Sequence, residues 1–207
     1  MKIPNVLAER YASDRIIKIW SPENKVLLER ELWIAVLKAQ RENGADVPEE
    51  AIAAYQRTKN DIDLESILER EKIVKHDVKA RIEEFCDLAG YEHIHKGMTS
   101  RDLTENIEQL QVLQSLQHVQ MLAVATLSRL TDLAQQYAEL PVTGRTHNVA
   151  AQITTMGKRF SNVAEEMILA FTTLEQISQT YPMRGLKGPV GTQQDLLDLL
   201  GDQTKVE

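Results

Sequence analysis

Apolar residues recur at three- and four-residue intervals along almost the whole chain, the spacing of a helix face, and no stretch alternates strongly enough to predict a strand. Ser21-Pro22-Glu23 supplies a cap, a Pro at the first helical position and an acid in the first turn. Val26, Leu27, Trp33, Ile34 and Leu37 then mark a helix to about Arg41 that stops near Gly44. Pro48 starts a shorter helix through about Lys59, and Asp63-Leu64-Glu65-Ser66 opens another with a break or bend near Lys75. The stripe Val78, Ile82, Phe85, Ala89 predicts a further helix, with Gly90 as its C-terminal stop.

From Ser100 to about Leu140 no Gly or Pro interrupts the chain, and Leu103, Ile107, Leu110, Leu113, Leu116, Val119, Leu127, Leu130 and Ala134 keep a helical rhythm. At ~1.5 Å per residue such a helix spans about 50 Å or more, which points to an elongated bundle. A second long helix is predicted from Ala150 to about Thr180, followed by the loop Arg184 to Thr192 and a short amphipathic helix from Asp195 to Leu200. A two-helix hairpin cannot cover its own apolar stripes, so either other subunits or further chain must do so. The expected class is all-α, with a small N-terminal helical domain over residues 1–98 and the first, incomplete part of a long-helix bundle domain over 99–207.

Composition narrows the function. The chain has 207 residues, 43% hydrophobic and 27% charged, which suits a helix-rich protein with one fair-sized core. A net charge of -7 argues against general nucleic-acid binding, which rests on neutralising phosphates. A small anion remains compatible, because local cations and helix N-termini can hold it against the global sign. The single cysteine, Cys86, falls at an apolar position and reads as a packed thiol. No leader-like segment opens the chain and no uncharged run is long enough to cross a bilayer, so no membrane association and a cytoplasmic location are expected.

Two polar clusters stand out. Gly144-Arg145-Thr146-His147-Asn148 has almost no side chain to bury, and His147 is suited to general acid or base work because imidazole titrates near neutral pH. A lone loop histidine is, however, usually a surface residue. Thr99-Ser100, at the head of the longest helix, offers two hydroxyls beside free amides, a good carboxylate cradle, although by itself it reads first as an ordinary N-cap. Lys75-His76-Asp77 combines a cation, an imidazole and a carboxylate, where a solvated helix face is the plainer reading. His93 and His95 lack a clear third and fourth metal ligand. Arg10-Tyr11 is weak by itself, and Gly188-Pro189-Val190-Gly191 lacks the strand-turn-helix setting of a dinucleotide loop.

Taken together, Arg10-Tyr11-Ala12-Ser13, Lys75-His76-Asp77-Val78, the run from His95 to Asp102, Gly144-Arg145-Thr146-His147, Gln152 to Lys158, and Lys187 to Thr192 strongly resemble the adenylosuccinate lyase family, part of the fumarase/aspartase superfamily of helical lyases. The resemblance implies a homotetramer around a central helical bundle, active sites drawn from three subunits, and cofactor-free β-elimination of fumarate from succinylated purine nucleotides. By position it makes His147 the general acid, Arg10 and Tyr11 nucleotide-phosphate ligands, Lys75, His76 and Asp77 a substrate-binding triplet, and Thr99 and Ser100 the cradle of the succinyl carboxylate. His95 becomes a further active-site histidine. The family's general base is a serine on a mobile Ser-rich loop with a Met-Pro and a Lys-Asn pair, which has no counterpart in these 207 residues and normally lies beyond them. The chain is therefore expected to be the N-terminal half of such an enzyme and to lack turnover alone. A related lyase acting on argininosuccinate would share the Thr-Ser cradle and the histidine without needing the phosphate-binding set. A non-catalytic assembly module would use the apolar stripes alone.

Overall fold

The computed structural model describes residues 5–206. They divide into two compact units, one formed by residues up to Val112 together with those from Pro182 onward, the other by Leu113–Tyr181. Among the described residues the order is α1 (Val6–Tyr11), α2 (Asp14–Trp20), α3 (Pro22–Glu42), α4 (Glu49–Thr58), α5 (Leu64–Val74), α6 (Asp77–Ala89), α7 (Ser100–Gln136), β1 (Pro141–Thr146), β2 (Val149–Thr155), α8 (Met156–Gln179) and α9 (Gln194–Leu200).

The first unit is organised on α3. Ser21 Oγ accepts the Asn24 amide at 3.2 Å and Pro22 occupies the first helical position, so the helix starts where the sequence predicts. Its buried face carries Val26, Trp33, Ile34 and Leu37. Trp33, Leu37, Tyr55, Phe85 and Leu103 join α3, α4, α6 and the first turns of α7 in one core. Tyr55 satisfies its hydroxyl inside that core by donating to the Tyr91 carbonyl at 2.5 Å and accepting the His93 amide at 3.2 Å. Cys86 is buried with Sγ 3.5 Å from the same hydroxyl, and burial pushes its thiol up, as befits a packed residue.

One buried cation ties these helices together. Arg30 Nη2 donates to both oxygens of Glu84, at 2.8 and 2.5 Å, and both residues are almost fully buried. Its Nη1 donates to the carbonyls of Thr58, Lys59 and Asp61, at 3.0, 3.0 and 3.3 Å, capping the end of α4, where a helix leaves carbonyls unpaired. The guanidinium also lies 4.5 Å from the Phe85 ring centroid.

In the second unit the sequence reading needs correction. The helix predicted from Ala150 starts at Met156, because Val149–Thr155 is a strand paired antiparallel with Pro141–Thr146. His147 and Asn148, with φ of 47° and 62°, form the two-residue turn that favours a hairpin. The strands escape a periodicity search because most of their residues are exposed and the register slips between Thr143 and Arg145, so polar and apolar positions do not alternate. The Met156 and Gly157 amides donate to the carbonyls of Leu140 and Tyr137 at 2.9 and 2.8 Å. Only glycine fits at 157, since a Cβ there would lie 2.4 Å from the Ala134 carbonyl oxygen. Val119, Met121, Leu122, Val124, Val163 and Leu169 remain exposed in this unit, consistent with the apolar stripes expected to lack cover.

The Arg30 contacts predict the outcome of its removal. Arg30→Met leaves the Glu84 carboxylate buried and unpaired and should cost about 3–5 kcal/mol, read as a lower urea midpoint. Replacing Glu84 as well with Leu should recover much of that loss; equal stability of the single and double variants would contradict the account.

Candidate active site

The head of α7 is where the first unit gathers its polar groups. Asp102, with 0% exposure, directs a carboxylate at four donors. Oδ2 accepts the amides of Thr99 and Gly188 at 3.1 and 2.9 Å, while Oδ1 accepts the Lys187 amide at 3.0 Å and Arg184 Nε at 3.1 Å. Every lone-pair direction of the carboxylate is thus used. Burial alone would raise its pKa, but those amides and the guanidinium outweigh it and hold Asp102 below the usual carboxylate range. Arg184 continues to Glu105 Oε2 at 2.7 Å, its amide donates to Gln109 Oε1 at 2.6 Å, and the Gly185 amide donates to Asn106 Oδ1 at 3.0 Å. Residues 102, 105, 106 and 109 share one helix face, so a single polar stripe of α7 holds the 184–188 loop.

Next to this clamp lies His76, the N-cap of α6. Its Nδ1 accepts the Lys79 amide at 3.2 Å and its Nε2 lies 3.4 Å from Ser100 Oγ. Lys75, just before it, is left-handed at φ 57° and ends α5, the break foreseen in the sequence. Asp77 pairs with Arg81 Nη2 at 2.6 Å; burial pushes its carboxyl up, but Arg81, the Val78 amide and His76 together hold it down. Arg81 also approaches Glu29, its Nε 2.9 Å from Oε2 without hydrogen-bond alignment. Glu29 is fully buried, and burial raises its pKa to about 7 against the pull of Arg81 and Lys25, with Asp77 and Glu108 adding to the rise. His95 sits in the loop before α7 with φ 67° and accepts the Trp33 indole N–H on Nδ1 at 2.9 Å.

The structure therefore brings Thr99, Ser100 and His76 together in the first unit, with His95 close enough to feel the charges of Asp102 and His76. Arg10 and Tyr11 end α1 and are exposed, and no hydrogen bond or ion pair joins them to that cluster among the described residues. His147 belongs to the second unit, exposed at the hairpin tip, with Arg145 Nη1 donating to the neighbouring Asn148 carbonyl at 3.3 Å. The same hairpin lines a cavity of about 490 Å³ with Gly144, Arg145, Thr154 and Lys158 among its walls. Sequence reasoning gave Asp102, Arg184 and Trp33 no role. The spacing Thr99-x-x-Asp102 is a capping-box signal that could have pointed to the first of them.

The chain belongs to the lyase family, whose model matches residues 10–195. It is 34% identical to the adenylosuccinate lyase of Caenorhabditis briggsae, over 100% of this chain and 44% of that protein, and 33% identical to that of Schistosoma mansoni, over 98% and 43%. The chain thus spans less than half the length of these curated relatives. In fold it is similar to a fumarate lyase from Mesorhizobium sp. BNC1, with a TM-score of 0.80 and 23% identity over 94% of this chain and 47% of that one. The all-α, fumarase/aspartase-like architecture predicted from sequence is what the structure contains, apart from the hairpin.

Two predictions arise from these contacts. Asp102→Asn presents an N–H₂ group to donors on one side of the clamp and should destabilise the fold by about 2–3 kcal/mol in urea unfolding, with faster proteolysis within residues 184–188. Glu29 has a folded pKa above its unfolded one, so its stabilising protonation is complete below pH 4.5 and is lost as pH rises through about 7. The stability of the native protein relative to Glu29→Gln should therefore fall between about pH 5 and about pH 8, and a difference independent of pH would refute the assignment.

Proposed function

We propose that the protein is an adenylosuccinate lyase, releasing fumarate from adenylosuccinate to give AMP, and from the corresponding succinylated aminoimidazole carboxamide ribotide. The observation that carries this reading is the Thr99–Ser100 step at the N-terminus of α7, with His76 on the Ser100 hydroxyl and the nearby negative charge of Asp102 taken up by Arg184 and three amides. Such a helix end favours an anion.

A base outside the described residues, the serine that the family resemblance implies, takes a proton next to the succinyl carboxylate, and negative charge builds on that group. Hydroxyls and helix-end amides already aimed at it stabilise the transition state more than the ground state. The carbon–nitrogen bond then breaks, its electron pair passes to the purine nitrogen, and the imidazolium of His147 gives that nitrogen its proton. Arg10 and Tyr11 hold the nucleotide phosphate, Lys75, His76 and Asp77 bind the remaining substrate, and His95 completes the pocket. No cofactor enters this scheme. The activity belongs to a cytoplasmic homotetramer in which His147 and the Thr-Ser step come from different subunits. Residues 1–98 act as its N-terminal domain, and 99–207 as the opening of its central bundle.

Fumarate formation from adenylosuccinate by the full-length protein tests the reading. His147→Gln should lower kcat by about a hundredfold to ten-thousandfold with little change in KM, the size of a lost general acid. Native turnover in that variant, or preference for argininosuccinate over adenylosuccinate, would sink it.

A further inference from the structure

Two imidazoles flank the head of α7, and their surroundings fix where each carries its proton. An indole N–H can only donate, so the 2.9 Å contact from Trp33 Nε1 requires a lone pair on His95 Nδ1. A neutral imidazole has one N–H, which on His95 must then sit on Nε2. Trp33 is not free to turn away. It is 1% exposed, stacks on Phe85 with ring centroids 6.3 Å apart, and meets the His95 ring edge-on at 5.9 Å and 85°.

His95 is held from its own side as well. Its φ of 67° is a left-handed conformation uncommon outside glycine, between the buried residues Ile94 and Met98 and beside Lys96, whose carbonyl accepts from Gln40 Nε2 at 2.8 Å. His76 is fixed by the same logic. Its Nδ1 accepts the Lys79 amide, so its Nε2–H faces Ser100 Oγ and leaves the serine proton free for another acceptor.

We infer that Trp33 is a positioning residue that locks His95 as the neutral Nε2–H tautomer, so that His95 offers an anionic ligand oxygen a fixed hydrogen-bond donor and carries no proton in the reaction. The ligand part of this statement rests on the lyase reading; the tautomer does not. Burial lowers the His95 pKa to about 4, Asp102 from α7 opposing and His76 from the start of α6 adding to the effect, while Trp33 brings no charge from α3. The ring accordingly stays neutral throughout the physiological range.

Nitrogen–proton correlation spectra of the histidine rings in the full-length protein decide the tautomer without any ligand. His95 should show only the Nε2–H form between about pH 6 and about pH 8, and Trp33→Phe should give a mixture of tautomers. An Nδ1–H form or an imidazolium in the native protein would overturn the inference, whether or not the Trp33 variant folds. Kinetics supply an independent readout. In His95→Gln the amide N–H₂ stands in for Nε2–H, so kcat should stay within about tenfold of native, whereas His95→Asn cannot reach and should fall further. Equal losses of about a hundredfold or more in both would mark a proton carrier and refute the inference. Inhibition by fumarate and by AMP separates the two sources of an anionic oxygen. Weaker fumarate binding in His95→Asn assigns the donor to a carboxylate and weaker AMP binding assigns it to a phosphate, while unchanged binding of both contradicts the ligand role. Should the native protein release no fumarate, the lyase reading fails while the ring spectra still settle the tautomer.

Discussion

Four donors converge on the buried carboxylate of Asp102, and three of them come from a loop more than eighty residues further along the chain. A carboxylate cannot be buried without replacing the water it loses. Here the replacement is complete: two amides and a guanidinium from the 184–188 loop, and the Thr99 amide from its own helix end. The contact is favourable at that place for a second reason, since Asp102 lies in the first turn of α7, where the helix dipole favours negative charge. Because Thr99 is one of the four donors, the carboxylate that holds the distant loop also holds the start of the Thr-Ser step. The proposed cradle is therefore shaped by a buried carboxylate whose lone pairs are already occupied.

Much of the helical frame could be read from local signals. Ser21-Pro22 fixed the start of α3, Gly90 with φ 73° fixed the end of α6, and the break at Lys75 was visible as a change in rhythm. Those features depend on residues within one turn of each other. The hairpin was illegible because its strands bury neither face strongly and because the irregularity opposite Gly144 destroys the period of two. The histidines and the Thr-Ser pair stood out in the sequence as polar clusters, and only the resemblance gave them roles. The Trp33–His95 and Asp102–Arg184 contacts were missed because they join residues 62 and 82 positions apart, and nothing local distinguishes Trp33 from an ordinary core tryptophan. The face formed by 102, 105, 106 and 109 was visible as helical spacing, but its partner loop was not.

The two units differ in how their sequence is stabilised. In the first, Trp33, Tyr55, Phe85 and Leu103 are essentially inaccessible, and buried charge is paired, as in Arg30 with Glu84. In the second, the end of α7 and the start of α8 meet closely at Gly157, yet large apolar side chains along both helices stay exposed. Isolated surface hydrophobics are ordinary, but rows of them on two successive helices mark an interaction surface. Under the proposed function, the helices of an assembly would supply that cover.

The proton inventory at the head of α7 bears directly on which step of an elimination this part of the protein can serve. Asp102 has no free lone pair, Nδ1 of His95 is taken by Trp33, Nδ1 of His76 by the Lys79 amide, and Asp77 is paired with Arg81. What remains directed outward are donors: Nε2–H of His95, the hydroxyl proton of Ser100 and the amides of a helix start. A surface of donors lowers the energy of a carboxylate that is gaining charge, and for the same reason it is a poor place from which to remove a proton from carbon. Under the proposed chemistry the base then comes from another segment. A basic lone pair among these donors would be hydrogen-bonded and weakened before substrate arrived.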